Sequence, residues 1–254
     1  MSDKKGSLEK AMQIMRLLHH EDGFMGVSEI SRKLGISKGS VHRLLATLES
    51  QDFVQQNKET KKYWLGIELY VMGAMVGKKM LLKDIVAPYA KELNEKFGEI
   101  VNVSIPEKNI DHGPRSLLIY KEVNKYQSLA VYPLVGTSSE CYCSAVGKCL
   151  MAFNDKVDFG AYDDAEMKPY TEHTMTHWTD VAKECIEVKK NGYAIENEEK
   201  EYGLICIGVP IFNQSNELAA AISISGSVSR IDLNDVDKYV SELKKAAQKI
   251  SRFI

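Results

Sequence analysis

Residues 27–65 read VSEISRKLGISKGSVHRLLATLESQDFVQQNKETKKYWL, and the punctuation of this stretch decides the first domain. Ser28 has the hydroxyl of a helix N-cap, able to accept a bond from an orphan backbone N–H. A short helix follows with Ile30 and Leu34 on one face. Gly35 permits the turn that ends it, and Ile36 is expected beneath that turn. Ser37 is placed to cap a second helix, on which Val41, Leu44, Leu45 and Leu48 recur at a spacing of about 3.6 residues. At about 100° per residue, Gly39, Arg43, Ala46 and Thr47 point the other way, flanked by Lys38, Ser40 and His42. That small, polar, basic face suits a major groove, where an acidic face would be repelled by phosphate. Residues 53–56 and 61–65 then read as a hairpin whose tip is Asn57-Lys58-Glu59-Thr60. Helix, turn, helix and hairpin make a winged helix-turn-helix. Its candidate DNA contacts are Ser37, Lys38, Gly39, Ser40, His42, Arg43 and Thr47 on the recognition helix and Lys58, Lys61 and Lys62 on the wing. Two helices joined by a glycine turn also occur in folds with no DNA partner; the cap chemistry and the basic wing tip the reading towards DNA.

Before this stretch, residues 7–20 read as a first helix with an apolar stripe of Leu8, Ala11, Met12, Met15, Leu17 and Leu18, stopped by Glu21-Asp22-Gly23. After it, the wing ends at Gly66. Residues 67–80, IELYVMGAMVGKKM, are apolar almost all round, and a helix of that kind must be buried. The head is too small to cover it, so a second copy of the chain is the expected cover, with Gly73, Ala74 and Gly77 allowing close approach; the alternative is packing only on its own C-terminal domain. Residues 82–97 are another helix, with Ile85, Val86, Tyr89, Leu93 and Phe97 inward; Pro88 is expected to kink it or mark a restart. The pattern then turns to strands at 100–105, 116–123 and 128–132. A helix is expected at 144–153 and an amphipathic one at 180–190, closed by Asn191-Gly192. Strands at 193–195, 204–212 and 218–225 follow, the last two joined by a turn at Asn213-Gln214-Ser215-Asn216, and a long helix at 234–253 closes the chain. The fold class expected is α+β: a winged helix-turn-helix over residues 1–66, an apolar linker helix over 67–80 and an effector-binding domain over 81–254.

Composition bounds these readings. The chain has 254 residues with 44% hydrophobic residues and a net charge of −2, which suits one large or two small globular domains. Residues 1–65 hold 11 Lys and Arg against 8 Asp and Glu, a net +3, leaving −5 to the rest. A mildly basic head on an acidic body suits a protein that docks DNA with one end. No apolar run reaches about 18 residues, so no transmembrane helix or membrane partner is expected. MSDKKGSLEK lacks the apolar core of a signal peptide. The five cysteines, Cys141, Cys143, Cys149, Cys185 and Cys206, have no disulfide-framework spacing. Reduced thiols in a cytoplasmic protein are expected.

Three stretches carry a resemblance: GISKGSVHRLLATLESQDFVQQNKETKKYWLG at 35–66, CYCSAVGKCLMAF at 141–153, and NGYAIENEEKEYGLICIGVPIFNQSNELAAAISISG at 191–226. With them the chain resembles the IclR family of bacterial transcriptional regulators over nearly its whole length. The resemblance implies a GAF-like effector domain behind the winged head and homodimers, often paired as dimers of dimers, on palindromic double-stranded operator DNA. It also implies control of a catabolic operon, with repression favoured over activation, by a small organic acid, sugar-derived or aromatic. By position, the residues that look like the family's effector pocket are Ala145, Val146, Glu196, Cys206, Ser223 and Ser225. The CYC at 141–143 and the polar segment 107–115 depart from the family pattern.

The residues themselves give this pocket partial support. Ser223 and Ser225 alternate on one strand, so both hydroxyls face one side and need partners, which a carboxylate or neighbouring backbone could supply. Ser144-Ala145-Val146-Gly147 opens a helix, whose free N–H groups and dipole can hold an anion or simply begin a helix. Glu196 lies in a run with Glu198, Glu199 and Glu201 that reads first as a solvated face; one member turned inward could accept bonds from ligand hydroxyls. Cys206 reads first as a small apolar filler. Two rival functions remain. One is an enzyme with His112, His173 or His177 as base, against which stands the lack of a G-x-S-x-G turn. The other is a metal or redox sensor using Cys141, Cys143 and Cys206, for which C-x-C with one distant cysteine is a weak signal. No catalytic residue, metal ligand or cofactor is assigned.

Overall fold

The computed structural model describes residues 6–21, 23–78, 81–107, 113–123, 133–162 and 165–254. They belong to two units, residues 1–80 and 81–254.

In the first unit, α1 (Ser7–His20), α2 (Val27–Leu34) and α3 (Lys38–Glu49) are followed by the hairpin β1 (Val54–Gln56) and β2 (Tyr63–Leu65) and by α4 (Ile67–Lys78). Gly35 sits at φ 64°, the left-handed conformation that ends α2, and Ile36 is buried beneath it. Ser37 caps α3 by accepting the Ser40 N–H at 3.4 Å. Ser28 does not cap α2: the helix begins two residues earlier, from Gly26. The Glu29 carboxylate instead reaches back to accept the Gly26 N–H at 2.8 Å, the reciprocal half of a capping box, which a side chain three residues into the helix supplies. The α1 stripe also differs. Ile14 and Leu18 are fully buried, while Leu8 and Met12 lie exposed in the first half of the helix. Ile14, Leu18, Ile30, Val41, Leu45 and Val54 make the core. The wing pairs Val54 with Leu65 and Gln56 with Tyr63, and Met25 exchanges both backbone bonds with Tyr63 at 2.9 and 2.7 Å. A Cβ on Gly66 would lie 2.0 Å from the Asp52 carbonyl oxygen, so only glycine lets the chain leave the wing past the α3–β1 corner. Helix α4 departs from expectation within one chain: Tyr70, Val71, Met72, Met75 and Val76 are all exposed.

The second unit contains α5 (Leu81–Phe97), β3 (Ile100–Pro106), β4 (Arg115–Glu122), β5 (Ser138–Glu140), α6 (Ala145–Ala152), α7 (Trp178–Asn191), β6 (Ala194–Asn197), β7 (Leu204–Phe212), β8 (Leu218–Ser227) and α8 (Val236–Ser251). Helix α5 runs through Pro88 rather than restarting there. The strands form a six-stranded antiparallel sheet in the order β5-β4-β3-β8-β7-β6. This is the α+β, GAF-like class. Strand β5 was not legible in the sequence, and the strand expected at 128–132 lies outside the described residues.

Period-two alternation gives the sheet two different faces. Val101, Val103, Ile207, Val209, Ile222 and Ile224 are buried and paired across β3, β8 and β7, on the face that α5 and α8 cover. Positions of the other parity, among them Asn102, Cys206, Ser223 and Ser225, face α6. That helix lies close on the sheet: a Cβ on Gly208 would meet Ala145 at 3.1–3.2 Å. Helix α6 is buried throughout, and α7 packs outside it.

Candidate functional site

The recognition helix presents the face the sequence implies. Lys38, Gly39, His42, Arg43 and Thr47 are exposed and Ser40 is half-buried, while Val41 and Leu45 are fully buried. The Thr47 hydroxyl donates to the Arg43 carbonyl at 3.1 Å. At the wing tip the Asn57 side chain accepts from the N–H groups of Glu59 and Thr60 at 3.0 and 2.9 Å, and Lys61 takes a left-handed φ of 56°. Lys58, Lys61 and Lys62 are exposed there; Lys62 stands 3.8 Å from Glu29.

In the second unit the α6 side of the sheet encloses a cavity of about 670 Å³. Its lining includes Ala145, Val146, Glu196, Cys206, Ser223 and Ser225, so the fold brings all six sequence-assigned pocket residues together. Strand register explains how. Glu196 pairs with Cys206, Cys206 with Ser225, and Ser225 with Ile100, giving one row across four strands. The next row runs Gly208, Ser223, Asn102 and Lys121. Helix α6 starts over Gly208, where Ser144 caps it by accepting the Gly147 N–H at 3.1 Å. The Lys148 N–H opens the helical ladder on the Ser144 carbonyl, so the N–H groups of Ala145 and Val146 have no intrahelical acceptor. They supply the positive end of the helix dipole to the cavity wall.

Glu196 is wholly buried, against its first reading as a solvated face. Its Oε1 accepts the N–H groups of Glu199 and Lys200 at 2.8 and 3.1 Å, while Oε2 is buried without a partner. Burial pushes the Glu196 carboxyl above the usual carboxylate range, and the bonds it accepts do not offset this. Behind it, Lys148 on α6 is buried and bonds Glu199 at 2.6 Å and the Ile195 carbonyl at 2.9 Å, which fixes the loop that wraps Glu196. Only long-range packing could bring a lysine inside an apolar helix to this loop, so sequence reading missed it. It also missed Asn102, Ser104, Ser116, Lys121, Tyr170 and Lys200, which line the cavity. Alternation along residues 100–105 was the available signal for Asn102 and Ser104. Lys200 bonds Glu140 at 2.8 Å and sits 3.5 Å over the Tyr170 ring. Burial pushes the Glu140 carboxyl up, but Lys200 and Arg115 outweigh it and hold it down at about 2.

The geometry gives the sensor reading of the cysteines no support. Burial raises the thiols of Cys141, Cys143 and Cys206, that of Cys143 to about 12, away from the thiolate that metal binding and redox chemistry use. Among the described residues no group of three or more His, Cys, Asp or Glu is placed to hold a metal ion. No helix among them is long and apolar enough to cross a membrane. His112 lies outside the described residues, and His173 and His177 are exposed and absent from the cavity lining.

A winged helix-turn-helix unit and a second unit built around a cavity with a few inward polar groups define a DNA-binding transcriptional regulator. The chain belongs to the IclR family: residues 7–58 match the IclR helix-turn-helix domain and residues 74–252 the C-terminal domain of bacterial transcriptional regulators of the IclR type. It is similar to the DNA-binding transcriptional repressor YiaJ of Escherichia coli, with 30% identity over 96% of this chain and 86% of that one. It is also similar to the regulator KdgR of Escherichia coli, with 29% identity over 98% and 92%. Among solved structures, an IclR-type regulator from Alicyclobacillus acidocaldarius superposes with a TM-score of 0.79 at 25% identity, covering 98% of each chain. The Thermotoga maritima IclR structure does so with 0.66 at 30%, covering 97% of this chain and 98% of that one. The family consists of transcriptional regulators, not enzymes.

Proposed function

We propose that this regulator represses a catabolic operon in the cytoplasm and responds to a small organic acid held in the cavity of its second unit. One observation carries the reading. The free N–H groups at the start of α6, the paired Ser223 and Ser225 and the unpartnered oxygen of Glu196 belong to residues that line one cavity. A carboxylate seated there takes the N–H groups of Ala145 and Val146 and the serine hydroxyls. The Glu196 carboxyl reads a hydroxyl of the same ligand, and Cys206 supplies a small, uncharged wall. In the head, α3 enters the major groove with Arg43 and Lys38 foremost, and Lys58, Lys61 and Lys62 of the wing meet phosphates. Two copies joined through α4 place two such heads on a palindrome. Repression rather than activation follows the relatives named repressors, among them YiaJ and IclR of Escherichia coli.

The test is a thermal-shift panel of small carboxylates followed by calorimetry on the acids that stabilise the protein. A hydrogen bond to a charged group contributes about 1.5–3 kcal/mol, so Ser223→Ala should weaken binding about tenfold or more. Operator binding without effector should be unchanged, because Ser223 lies in the other unit. Equal binding by wild type, Ser223→Ala, Ser225→Ala and Cys206→Ala would move the site elsewhere.

A further inference from the structure

The sheet carries an irregularity beside the cavity. Strand β4 pairs with β3 as Ser104 with Leu118, then Val103 with Tyr120, so Ile119 is an extra residue in the ladder. A bulge of this kind changes which residues face which side. Before it, Ser116 and Leu118 face the cavity; after it, Lys121 does, in register with Asn102. Without the bulge, alternation would aim Tyr120 and Glu122 there instead. The bulge thus exchanges an acidic residue for a basic one in the cavity wall.

Lys121 differs from the other cations lining this space. Lys200 is engaged by Glu140 at 2.8 Å, and Arg230 by Glu99 at 2.6 and 3.0 Å. The Lys121 ammonium donates to the Pro133 carbonyl at 3.2 Å, and no ion pair with a carboxylate forms among the described residues. Burial lowers its basicity, as desolvation does for any ammonium group. Beside it, Asn102 donates to the Ser225 hydroxyl at 3.1 Å but keeps Oδ1 buried and unpartnered. These groups lie along the row Gly208, Ser223, Asn102, Lys121. Strands are about 4.8 Å apart, so Lys121 stands roughly 10 Å across the sheet from Ser223, at the far end of the row from α6.

We infer that the cavity is built for a two-headed acid: a linear molecule whose first carboxylate takes the α6 start and the serine pair and whose second acidic group takes Lys121. This rests on the effector reading above. The second group supplies the counter-charge that no carboxylate among the described residues gives Lys121, and a hydroxyl or protonated oxygen on the intervening chain donates to Asn102 Oδ1.

The experiment compares acids that differ in one end only, hexanoate with adipate and D-gluconate with D-glucarate, by calorimetry on the full-length protein. Wild type should bind at least one diacid about tenfold or more tightly than its monoacid, as expected for one added charge-assisted bond. Lys121→Met keeps the apolar stem and should erase that preference, while Lys121→Arg should restore it. Melting curves of the ligand-free variants report folding. Monoacid and diacid binding equally to wild type, with Lys121→Met unchanged, would overturn the two-headed ligand and leave the carboxylate site standing. Binding that ignores Ser223→Ala and Ser225→Ala would overturn both readings, and no binding by any of the four acids at millimolar concentration would overturn the two-headed ligand.

Discussion

At the scale of single residues, Arg43 and Glu196 show how placement sets function. Arg43 is exposed on α3, with buried Val41 and Leu45 behind it, so its removal should spare the fold. Arg43→Ala should weaken operator binding in a fluorescence-anisotropy titration, by about 1–3 kcal/mol with relaxed sequence preference if it reads a base, or with a shallower salt dependence if it meets a phosphate. Unchanged titrations for both Arg43→Ala and Lys38→Ala would remove α3 from the interface. Glu196 is the opposite case, a carboxyl that burial raises above its ordinary range. A carboxyl raised in the folded state holds its proton longer there than in the unfolded chain. Its linkage therefore makes stability fall as pH rises from the ordinary glutamate range through the raised value. Glu196→Gln keeps the oxygen that accepts from Glu199 and Lys200 and removes the ionisation. Its melting temperature should decline less steeply across that window than wild type, with Glu199 titrating in both. Parallel curves would show that Glu196 is not the group responsible.

At the scale of elements, α4 has the clearest unmet requirement. Five of its large apolar side chains, Tyr70, Val71, Met72, Met75 and Val76, are 48–73% exposed in one chain, and apolar area left in water forgoes about 25 cal/mol per Å². Gly73 and Ala74 interrupt this surface and let a second helix approach. Because Met72 is exposed in the single chain, Met72→Glu should leave each copy folded and act only on assembly. Burying an unpaired carboxylate in an interface costs several kcal/mol, so sedimentation at micromolar concentration should show wild type as a dimer and the variant as a monomer. A monomeric wild type would refute this interface. In the second unit, α6 is the element that makes the cavity. Its eight residues are buried, and Gly208 beneath them sets how closely the helix approaches the sheet.

At the scale of the whole molecule, effector control requires that the acid bind the DNA-free and DNA-bound forms with different affinity. Such coupling is reciprocal in equilibrium terms. If an acid weakens operator binding by some factor, saturating operator DNA should weaken acid binding by the same factor, with changes of roughly 5–150-fold typical of such systems. Calorimetry of the acid with and without operator DNA reads this directly. An acid whose affinity is identical in both titrations is a ligand and not the effector.

The sequence by itself determined the head. Gly35, the Ser37 cap and the apolar period of Val41 to Leu48 are local signals, and helices and turns are local structures whose hydrogen bonds close within a few residues. It also determined most strands and the parity of Ser223 and Ser225, since alternation is fixed by the strand itself. Together with the family resemblance, that was enough to name six residues that the fold does gather around one cavity. Tertiary structure alone decided the rest. Glu196 reads as one acid among four until the strand register buries it beside Cys206. Lys148 looks like an ordinary helix lysine until α6 is packed on the 196–200 loop. Lys121 reaches the cavity only because a single extra residue, Ile119, reverses the alternation of β4. Register, bulges and burial depend on partners far away in the chain, and no local period encodes which partner a strand will find.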